Sequence, residues 1–316
     1  MTAAPRPLIA TVVVALTLAT GGCAGRDDRA DVEPATTTTP VSSPAPTTTA
    51  ATPTTATPTT ATTTGPGVTT SVDTTVGEAS AASPRPDWLG TRVLTPGPDG
   101  TIPPQPTPPE LDPRVLETVD LLPPPADGRW ASTIQPVPTD VLARSTWTAE
   151  CPVAPTDLAY VTVSFWGFDD RAHTGELLVN VEVAEDVTAA FQAIFEDRFP
   201  IEEMRVTAGS ELTAPPTGDG NNTGAFVCRA ARGSGTWSQH AYGLAIDINP
   251  FQNPYSKGNS VVLPELATSY LDREDERPGM ITADGPVISA FESIGWTWGG
   301  TWDSPVDRMH FSRNGS

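Results

Sequence analysis

Two histidines and two aspartates near the C-terminus are the residues of this sequence best suited to chemistry. His240 lies in SQHAYGLAIDINP together with Asp247, and His310 lies in DRMHFS with Asp307 three residues before it. Two His and one Asp form a three-ligand set that leaves a fourth position of zinc open for water, as catalytic zinc requires. We therefore predict that His240, Asp247 and His310 bind Zn²⁺ and that Asp307 is a non-ligating carboxylate that moves protons. Spacing alone leaves an alternative, a hydrogen-bonded His and Asp pair without a metal.

The first of these segments has the pattern of a short strand that follows a turn. Apolar side chains at alternate positions of 244–249 point to one face, so Asp247 points to the other. His240 has the wrong parity to share that face on a continuous strand. Gly243 permits a turn that folds His240 back beside Asp247.

The second segment, 308–312, has the same alternation. Met309 and Phe311 take the core face, which leaves His310 on the opposite, open face. Both predicted strands therefore present a potential metal ligand on the side that does not pack into the core.

The elements that must position these strands lie upstream and between them. Residues 160–165 alternate as a half-buried strand does, and apolar stripes predict helices between Glu185 and Pro200 and over 284–294, the second ended by Gly295. Strands mixed with helices in this order predict an α+β domain of about 170 to 190 residues.

Several motifs in order resemble one enzyme family. SQHAYGLAID matches the S-x-H-x-x-G-x-A-x-D motif of the VanY-like zinc D-alanyl-D-alanine carboxypeptidases, a family that includes L-alanyl-D-glutamate endopeptidases. WGGTWDSPVDRMHFS is similar to the family's closing segment, and the resemblance runs through FPIEEM, NNTGAFVCR and INPFQNPY, over residues 130–312. It implies the hedgehog/DD-peptidase fold, a small antiparallel sheet with flanking helices, for a domain that we assign to residues 111–316.

The resemblance implies a role for each motif residue. It gives the same three zinc ligands and makes Asp307 the catalytic acid/base. Arg229, in AFVCR, falls where the family has an arginine near the substrate's carboxylate and scissile carbonyl, and Ser238 matches a serine thought to help hold the substrate. The alternative for Arg229 is a surface ion pair.

The function that follows is zinc-dependent hydrolysis of peptidoglycan stem or cross-link peptides, by a carboxypeptidase or an endopeptidase acting as a monomer. The alternative is an inactive metal-binding module that recognises cell-wall peptides. A serine hydrolase is excluded because the chain has no G-x-S-x-G elbow and Ser238 lies only two residues from His240. Nucleic acid is excluded as a partner because 18 Lys and Arg against 38 Asp and Glu give a net charge of −20.

Two further groups of residues have a structural interpretation by default. His173, in RAHTGELLVN, falls in a predicted hairpin turn, where we expect a structural role rather than metal binding. Trp296, Trp298 and Trp302 are expected to pack in the core, with the wall of a substrate groove as the alternative.

The N-terminal region predicts secretion and a tether. An apolar run over residues 8–19 is too short for the roughly 20 residues of a membrane span, so we assign 1–22 to a lipoprotein signal peptide and Cys23 to the lipidated residue. The alternative is a plain signal peptide. Residues 23–110, rich in Thr, Pro and Ala, are predicted to be a long disordered linker. The protein would then be extracytoplasmic, anchored to the membrane by lipid and facing the cell wall.

The cysteine count gives one covalent expectation. With Cys23 lipidated, the remaining two of the three cysteines, Cys151 and Cys228, are predicted to form a disulfide in an oxidising compartment.

Overall fold

Short strands and three helices alternate over residues 82–316, the part of the chain that the computed structural model describes. The helices are α1 (Thr139–Arg144), α2 (Ala184–Glu196) and α3 (Pro286–Ser293). The strands are β1 (Ser132–Pro136), β2 (Leu158–Trp166), β3 (Ala172–Asn180), β4 (Glu203–Met204), β5 (Asn222–Thr223), β6 (Ala245–Asp247), β7 (Tyr255–Lys257), β8 (Val261–Leu263), β9 (Thr297–Trp298), β10 (Val306–Asp307) and β11 (His310–Ser312). The α+β prediction is confirmed. The predicted signal peptide, Cys23 and most of the predicted linker lie outside the described residues.

The largest sheet is the antiparallel meander β1-β2-β3. Its inner face and the apolar stripe of α2 form the main core, because Val161 and Val163 of β2 and Val187 and Phe191 of α2 are almost fully buried. The predicted helix between Glu185 and Pro200 is therefore present, and its apolar positions pack as the helical period requires.

Helix α3 closes the other side of the main core and reaches the strand that carries His310. Phe291 of α3 contacts Phe191 edge to face, with ring centroids 6.0 Å apart, and stacks on Phe311 of β11 at 4.5 Å. Gly295 ends this segment with a positive φ of 77°, as predicted.

Two small antiparallel sheets carry the candidate site. Their strand orders are β6-β11-β9 and β10-β7-β8, and a two-stranded parallel pair, β4-β5, lies beside them.

The end of the predicted linker differs from the prediction. Ser83 N donates to Val115 O at 2.8 Å, and Trp88, Leu89 and Leu94 pack against a second apolar cluster. That cluster contains Leu111, Leu116, Phe251, Leu266, Ala267, Tyr270 and Met280. The ordered region thus begins before residue 111. Proline-rich sequence has no helical or strand period, so isolated apolar residues that pack against a distant surface give no periodic signal.

His173 also lies in a different element from the one predicted. It is the second residue of β3 rather than part of the turn, and it is buried. Its Nδ1 lies 2.8 Å from Asp120 Oδ1 and its Nε2 lies 2.9 Å from Asp169 Oδ1. The imidazole therefore links the segment before β1 to the β2–β3 turn, which is a structural contact.

Cys151 and Cys228 are joined by a disulfide, with a Cα to Cα distance of 5.8 Å. The bond connects the segment before β2 to the loop that leads from β5 to the candidate site. Such a bond is typical of an oxidising compartment. Within residues 82–316, no helix combines the length and apolarity needed to cross a membrane.

Candidate metal centre

A tight turn places His240. Residues Gln239–Tyr242 form a 3₁₀ turn that begins after Ser238, whose Oγ accepts from His240 N at 3.4 Å. Gly243 ends the turn with φ of 67°, and a Cβ at this position would lie 2.6 Å from Asn180 N. Only glycine combines this left-handed conformation with so close an approach to the backbone of β3. The turn brings His240 back towards β6, as predicted from Gly243.

Strand pairing places the other two residues. In the antiparallel pair of β6 and β11, His310 lies directly opposite Asp247, and Phe311 lies opposite Ile246. Phe311 and Ile246 are fully buried in the main core. Since side chains alternate along a strand, His310 and Asp247 share the opposite face.

The three side chains converge at one point. His240 Nε2 lies 3.2 Å from His310 Nδ1 and 3.3 Å from Asp247 Oδ2, and His310 Nδ1 lies 3.1 Å from Asp247 Oδ1. Ligands about 2.0 to 2.1 Å from a tetrahedral zinc ion are separated by about 3.3 Å. One ligand atom from each of the three residues lies within 4.8 Å of the other two, so a small adjustment of the Asp247 carboxylate fits the set to one zinc ion.

The hydrogen bonds of the two imidazoles strengthen this fit. His240 Nδ1 lies 2.6 Å from the carbonyl of Ala225, and His310 Nε2 lies 3.3 Å from the carbonyl of Ser316. A carbonyl accepts, so each of these nitrogens carries the proton when the ring is neutral. Two lone pairs and the Asp247 carboxylate then face the same point. Three acceptors at contact distance need a cation between them, and outer hydrogen bonds of this kind orient metal-binding histidines.

The pKa shifts of Asp247 and His310 also indicate that the three side chains bind a positive charge. Burial opposes ionisation of Asp247, but the adjacent His240 and His310 lower its pKa below the usual range. Burial likewise disfavours the charged form of His310, yet the hydrogen bond to Asp247 raises its pKa. A divalent cation would replace the proton in this role, because metal ligands bind deprotonated.

Asp307 lies beside the cluster without being one of its ligands. It belongs to β10, where it pairs with Tyr255 of β7. Its Oδ1 atom is inaccessible and has no hydrogen-bond partner within residues 82–316. Burial, followed by the nearby charge of Asp247, raises the pKa of Asp307 to about 7. A carboxyl group with such a pKa can both accept and release a proton near neutral pH.

The glycines of WGGTW make room for this arrangement. A Cβ at Gly299 would lie 2.8 Å from the carbonyl oxygen of Asp307, and one at Gly300 would lie 2.1 Å from the ring of Trp298. The lack of a side chain at Gly299 therefore permits the close approach of this turn to β10, and the lack of one at Gly300 leaves room for the ring of Trp298.

The cluster lies in an open cleft of about 570 Å³. Arg229 and Ser238 line the same cleft, together with Arg232, Tyr255 and Trp302. Arg229 is exposed and its Nη1 donates to Ala230 O at 3.2 Å. Among residues 82–316 it forms no ion pair, so the surface ion pair considered from the sequence is absent there. Ser238 faces the cleft and also caps the turn that carries His240.

The three C-terminal tryptophans divide between the two interpretations. Trp296 is buried against Phe291, and Trp298 Nε1 donates to the carbonyl of Arg308 at 2.8 Å, so both are structural. Trp302 lines the cleft, with its ring centroid 5.5 Å from that of His310.

Sequence reasoning missed Arg232, Tyr255 and the carbonyl groups of Ala225 and Ser316. Arg232 lies only three residues after Arg229 in a segment rich in glycine, which was a usable signal. Carbonyl partners carry no signal, because any residue supplies one.

Residues 232–313 match the family model described as D-alanyl-D-alanine carboxypeptidase. The match includes Ser238, Asp307 and the three clustered side chains. It is shorter than the span 130–312 over which the sequence resembles this family, so Arg229 and both disulfide cysteines lie outside it. Comparison with curated proteins and with solved structures gave no match.

Proposed function

We propose that this chain is a zinc-dependent peptidase that hydrolyses peptidoglycan stem or cross-link peptides, as D-alanyl-D-alanine carboxypeptidases do. The observation that carries the proposal is the convergence of His240 Nε2, His310 Nδ1 and an Asp247 carboxylate beside Asp307, whose Oδ1 has no hydrogen-bond partner in the described part of the chain. The family match over residues 232–313 supports the same reaction class.

The three ligands would hold zinc at the floor of the cleft, with its remaining position facing the substrate. A zinc ion bound there supplies Lewis acidity, which polarises the scissile carbonyl and acidifies the attacking water. The hydrogen bonds to Ala225 and Ser316 keep both imidazoles in the tautomer that binds a metal. Because these partners come from the backbone, the ligand geometry does not depend on any mobile side chain.

Asp307 would perform the proton transfers. Its carboxylate accepts a proton from the attacking water and then donates that proton to the leaving amine. In the metal-free cleft its pKa is about 7, raised first by burial, which suits a group that must both accept and release a proton.

Arg229 would bind the substrate rather than move protons. Its guanidinium is permanently charged, faces the cleft and has no carboxylate partner within residues 82–316, so it is free to bind a substrate carboxylate or a developing oxyanion. Ser238 would position both the substrate and the turn that carries His240.

A second candidate function is a metal-binding module that recognises cell-wall peptides without cleaving them. The same ligands and the same cleft would serve it. A pure binding module has no use for an inaccessible carboxyl oxygen that has no hydrogen-bond partner within the described residues, such as Oδ1 of Asp307, because such an atom costs stability. Asp307 therefore favours the peptidase.

The location follows as part of the proposal. The disulfide between Cys151 and Cys228 fits an extracytoplasmic protein. A lipid on Cys23 would anchor the chain to the membrane, and the linker would let the domain reach the cell wall.

The full chain incubated with purified muropeptides tests this function. We expect about one zinc per chain, loss of activity after chelation and recovery with added Zn²⁺. The masses of the products would show whether a terminal alanine is released or an internal peptide bond is cleaved. A folded preparation without stoichiometric zinc would contradict the zinc-peptidase proposal. Zinc binding without any product would favour the binding module.

A further inference from the structure

Two arginines face the cleft of a strongly acidic chain. The chain has a net charge of −20, and eight of the other twelve arginines in the described region form ion pairs, for example Arg114, Arg144 and Arg205. Arg229 and Arg232 are exposed, line the cleft and form no ion pair within residues 82–316. With so many carboxylates in the chain, two unpaired guanidinium groups beside one cleft point to an anionic ligand.

The two arginines occupy different parts of one hairpin. Arg229 lies at its base, where its N–H donates to Val227 O at 2.9 Å and the preceding residue is Cys228 of the disulfide. Arg232 lies near the tip, between Ala231, which donates to Thr236 O at 2.9 Å, and Gly233, which has φ of 71°. Arg229 is therefore next to the end of the hairpin that the disulfide fixes, and Arg232 is next to its turn.

Their electrostatic surroundings also differ. Both lower the pKa of Asp307, whose rise is caused first by burial. Burial also raises the pKa values of Tyr255 and Glu265, and of the two arginines only Arg232 opposes that rise. Arg232 thus lies closer than Arg229 to the side of the cleft formed by Tyr255.

The distance between the two groups limits what one ligand can offer them. Three residues of extended backbone place the two Cα atoms at most about 10 Å apart, and the long side chains allow the two guanidinium groups to come to a similar separation. A peptide of two or three residues covers a similar length. One short peptide can therefore present a separate anion to each arginine.

We propose that the cleft selects peptides with two carboxylates, Arg229 binding the C-terminal one and Arg232 binding a side-chain carboxylate two residues before the C-terminus. The proposal rests on the proposed function, since it assumes that a peptide lies across His240, Asp247 and His310. The competing explanation is that both arginines only provide a positive field that attracts any anion to the cleft. That explanation predicts equal effects of both arginines on every anionic peptide.

Two isosteric peptides distinguish these explanations. The probes are acetyl-glutamyl-D-alanyl-D-alanine and acetyl-glutaminyl-D-alanyl-D-alanine, which differ only in the side-chain carboxylate. For zinc-loaded full chain we would measure kcat/KM by product analysis and Kd by calorimetry, with Asp307→Asn for the binding measurements. The wild-type cleft is expected to prefer the glutamyl peptide by about two- to fivefold, the range for one exposed ion pair.

The arginine variants then assign the preference. Arg232→Gln is expected to reduce the ratio between the two peptides to about one, whereas Arg229→Gln should weaken both peptides and keep the ratio. Arg129→Gln is the matched control, because Arg129 is exposed and lies outside the cleft; it should leave both values unchanged. The preference should also decrease at high salt.

Each outcome decides between the alternatives. Equal kcat/KM and Kd values for the two peptides in the wild type would overturn the two-carboxylate inference. A preference for the glutamyl peptide that is kept in Arg232→Gln would overturn it too. If neither peptide is cleaved, the proposed function fails on this substrate while the Kd ratio still tests the inference. If neither peptide binds, both fail.

Discussion

At the scale of single residues, two aspartates beside the same two histidines have pKa values that are shifted in opposite directions. Asp247 lies between two imidazoles, which lower its pKa and keep it ionised as a ligand must be. Asp307 is half-buried near the charge of Asp247, and partial burial together with that charge raises its pKa to about 7. The two environments, rather than the residue type, separate metal binding from proton transfer.

Asp307→Asn isolates the proton transfer. The substitution keeps the size of the side chain and removes its basicity, so we expect turnover to fall by about 10² to 10⁴. Zinc content and thermal stability should change little, because Asp307 is not one of the clustered ligands. Muropeptide turnover and metal analysis of the same preparation check both expectations.

His310→Ala is the comparison for that variant, since it removes a ligand and should weaken or abolish zinc binding. An Asp307→Asn protein that loses its zinc would identify Asp307 as a ligand. One that keeps full activity would place the proton shuttle on another residue.

At the scale of elements, the turn at Gly243 sets the position of His240. Gly243→Ala would strain a left-handed position and push a methyl group to 2.6 Å from Asn180 N. We expect a loss of about 2 kcal/mol or more in the free energy of unfolding, the sum of backbone strain and overpacking. Zinc affinity should fall with it, because His240 shifts relative to β6. Denaturant unfolding and chelator competition measure the two effects.

Gly233→Ala is the matched control for this variant. Gly233 has a similar φ of 71°, but a Cβ there would meet no atom within 4 Å. It should lose only about 1 kcal/mol from strain and keep its zinc affinity. Equal effects of the two substitutions would show that contact with β3 does not position the turn.

The disulfide holds the hairpin that carries Arg229. It closes a loop of 77 residues, which stabilises the folded chain by about 4 to 5 kcal/mol through reduced entropy of the unfolded state. A reductant should therefore lower the unfolding midpoint of the wild type. It should not affect a chain with both Cys151→Ser and Cys228→Ser. Two free thiols in protein prepared without reductant would contradict the pairing.

At the scale of the whole molecule, a buried ion pair joins the segment of residues 83–117 to the rest of the domain. Arg114 Nε and Nη2 donate to Glu202 at 2.7 and 2.8 Å, and Asn221 Nδ2 donates to the same carboxylate at 2.7 Å. Arg114 and Glu202 are almost fully buried. The segment that packs before residue 118 therefore depends on charge as well as on apolar contacts.

Glu202→Gln would leave the buried guanidinium of Arg114 without its counterion. We expect a loss of about 3 to 5 kcal/mol in the free energy of unfolding, measured by denaturant titration. Glu182→Gln removes the exposed ion pair with Arg313 and should cost less than about 1 kcal/mol. Similar losses in the two variants would contradict a special role for the buried pair.

The same carboxylate makes stability depend on pH. Burial opposes ionisation of Glu202, but Arg114 lowers its pKa below the ordinary value. A lowered pKa in the folded chain contributes stability above the usual carboxyl pKa of about 4.3, and this contribution is lost as the pH falls towards the folded value. The Glu202→Gln variant should lose less stability than the wild type between about pH 5 and pH 3.

Local rules were sufficient wherever the residues concerned are close in sequence. Strand alternation put Asp247 and His310 on open faces, and Gly243 marked the turn of His240, because these constraints act over only a few residues. The tertiary structure decided the rest. Arg114 and Glu202 are 88 positions apart, and nothing in either local segment specifies their contact. Arg232 became a site residue only because its hairpin folds over the cleft. Packing across long sequence separations selects such partners, and it does so through surface shape and charge that no short sequence pattern contains.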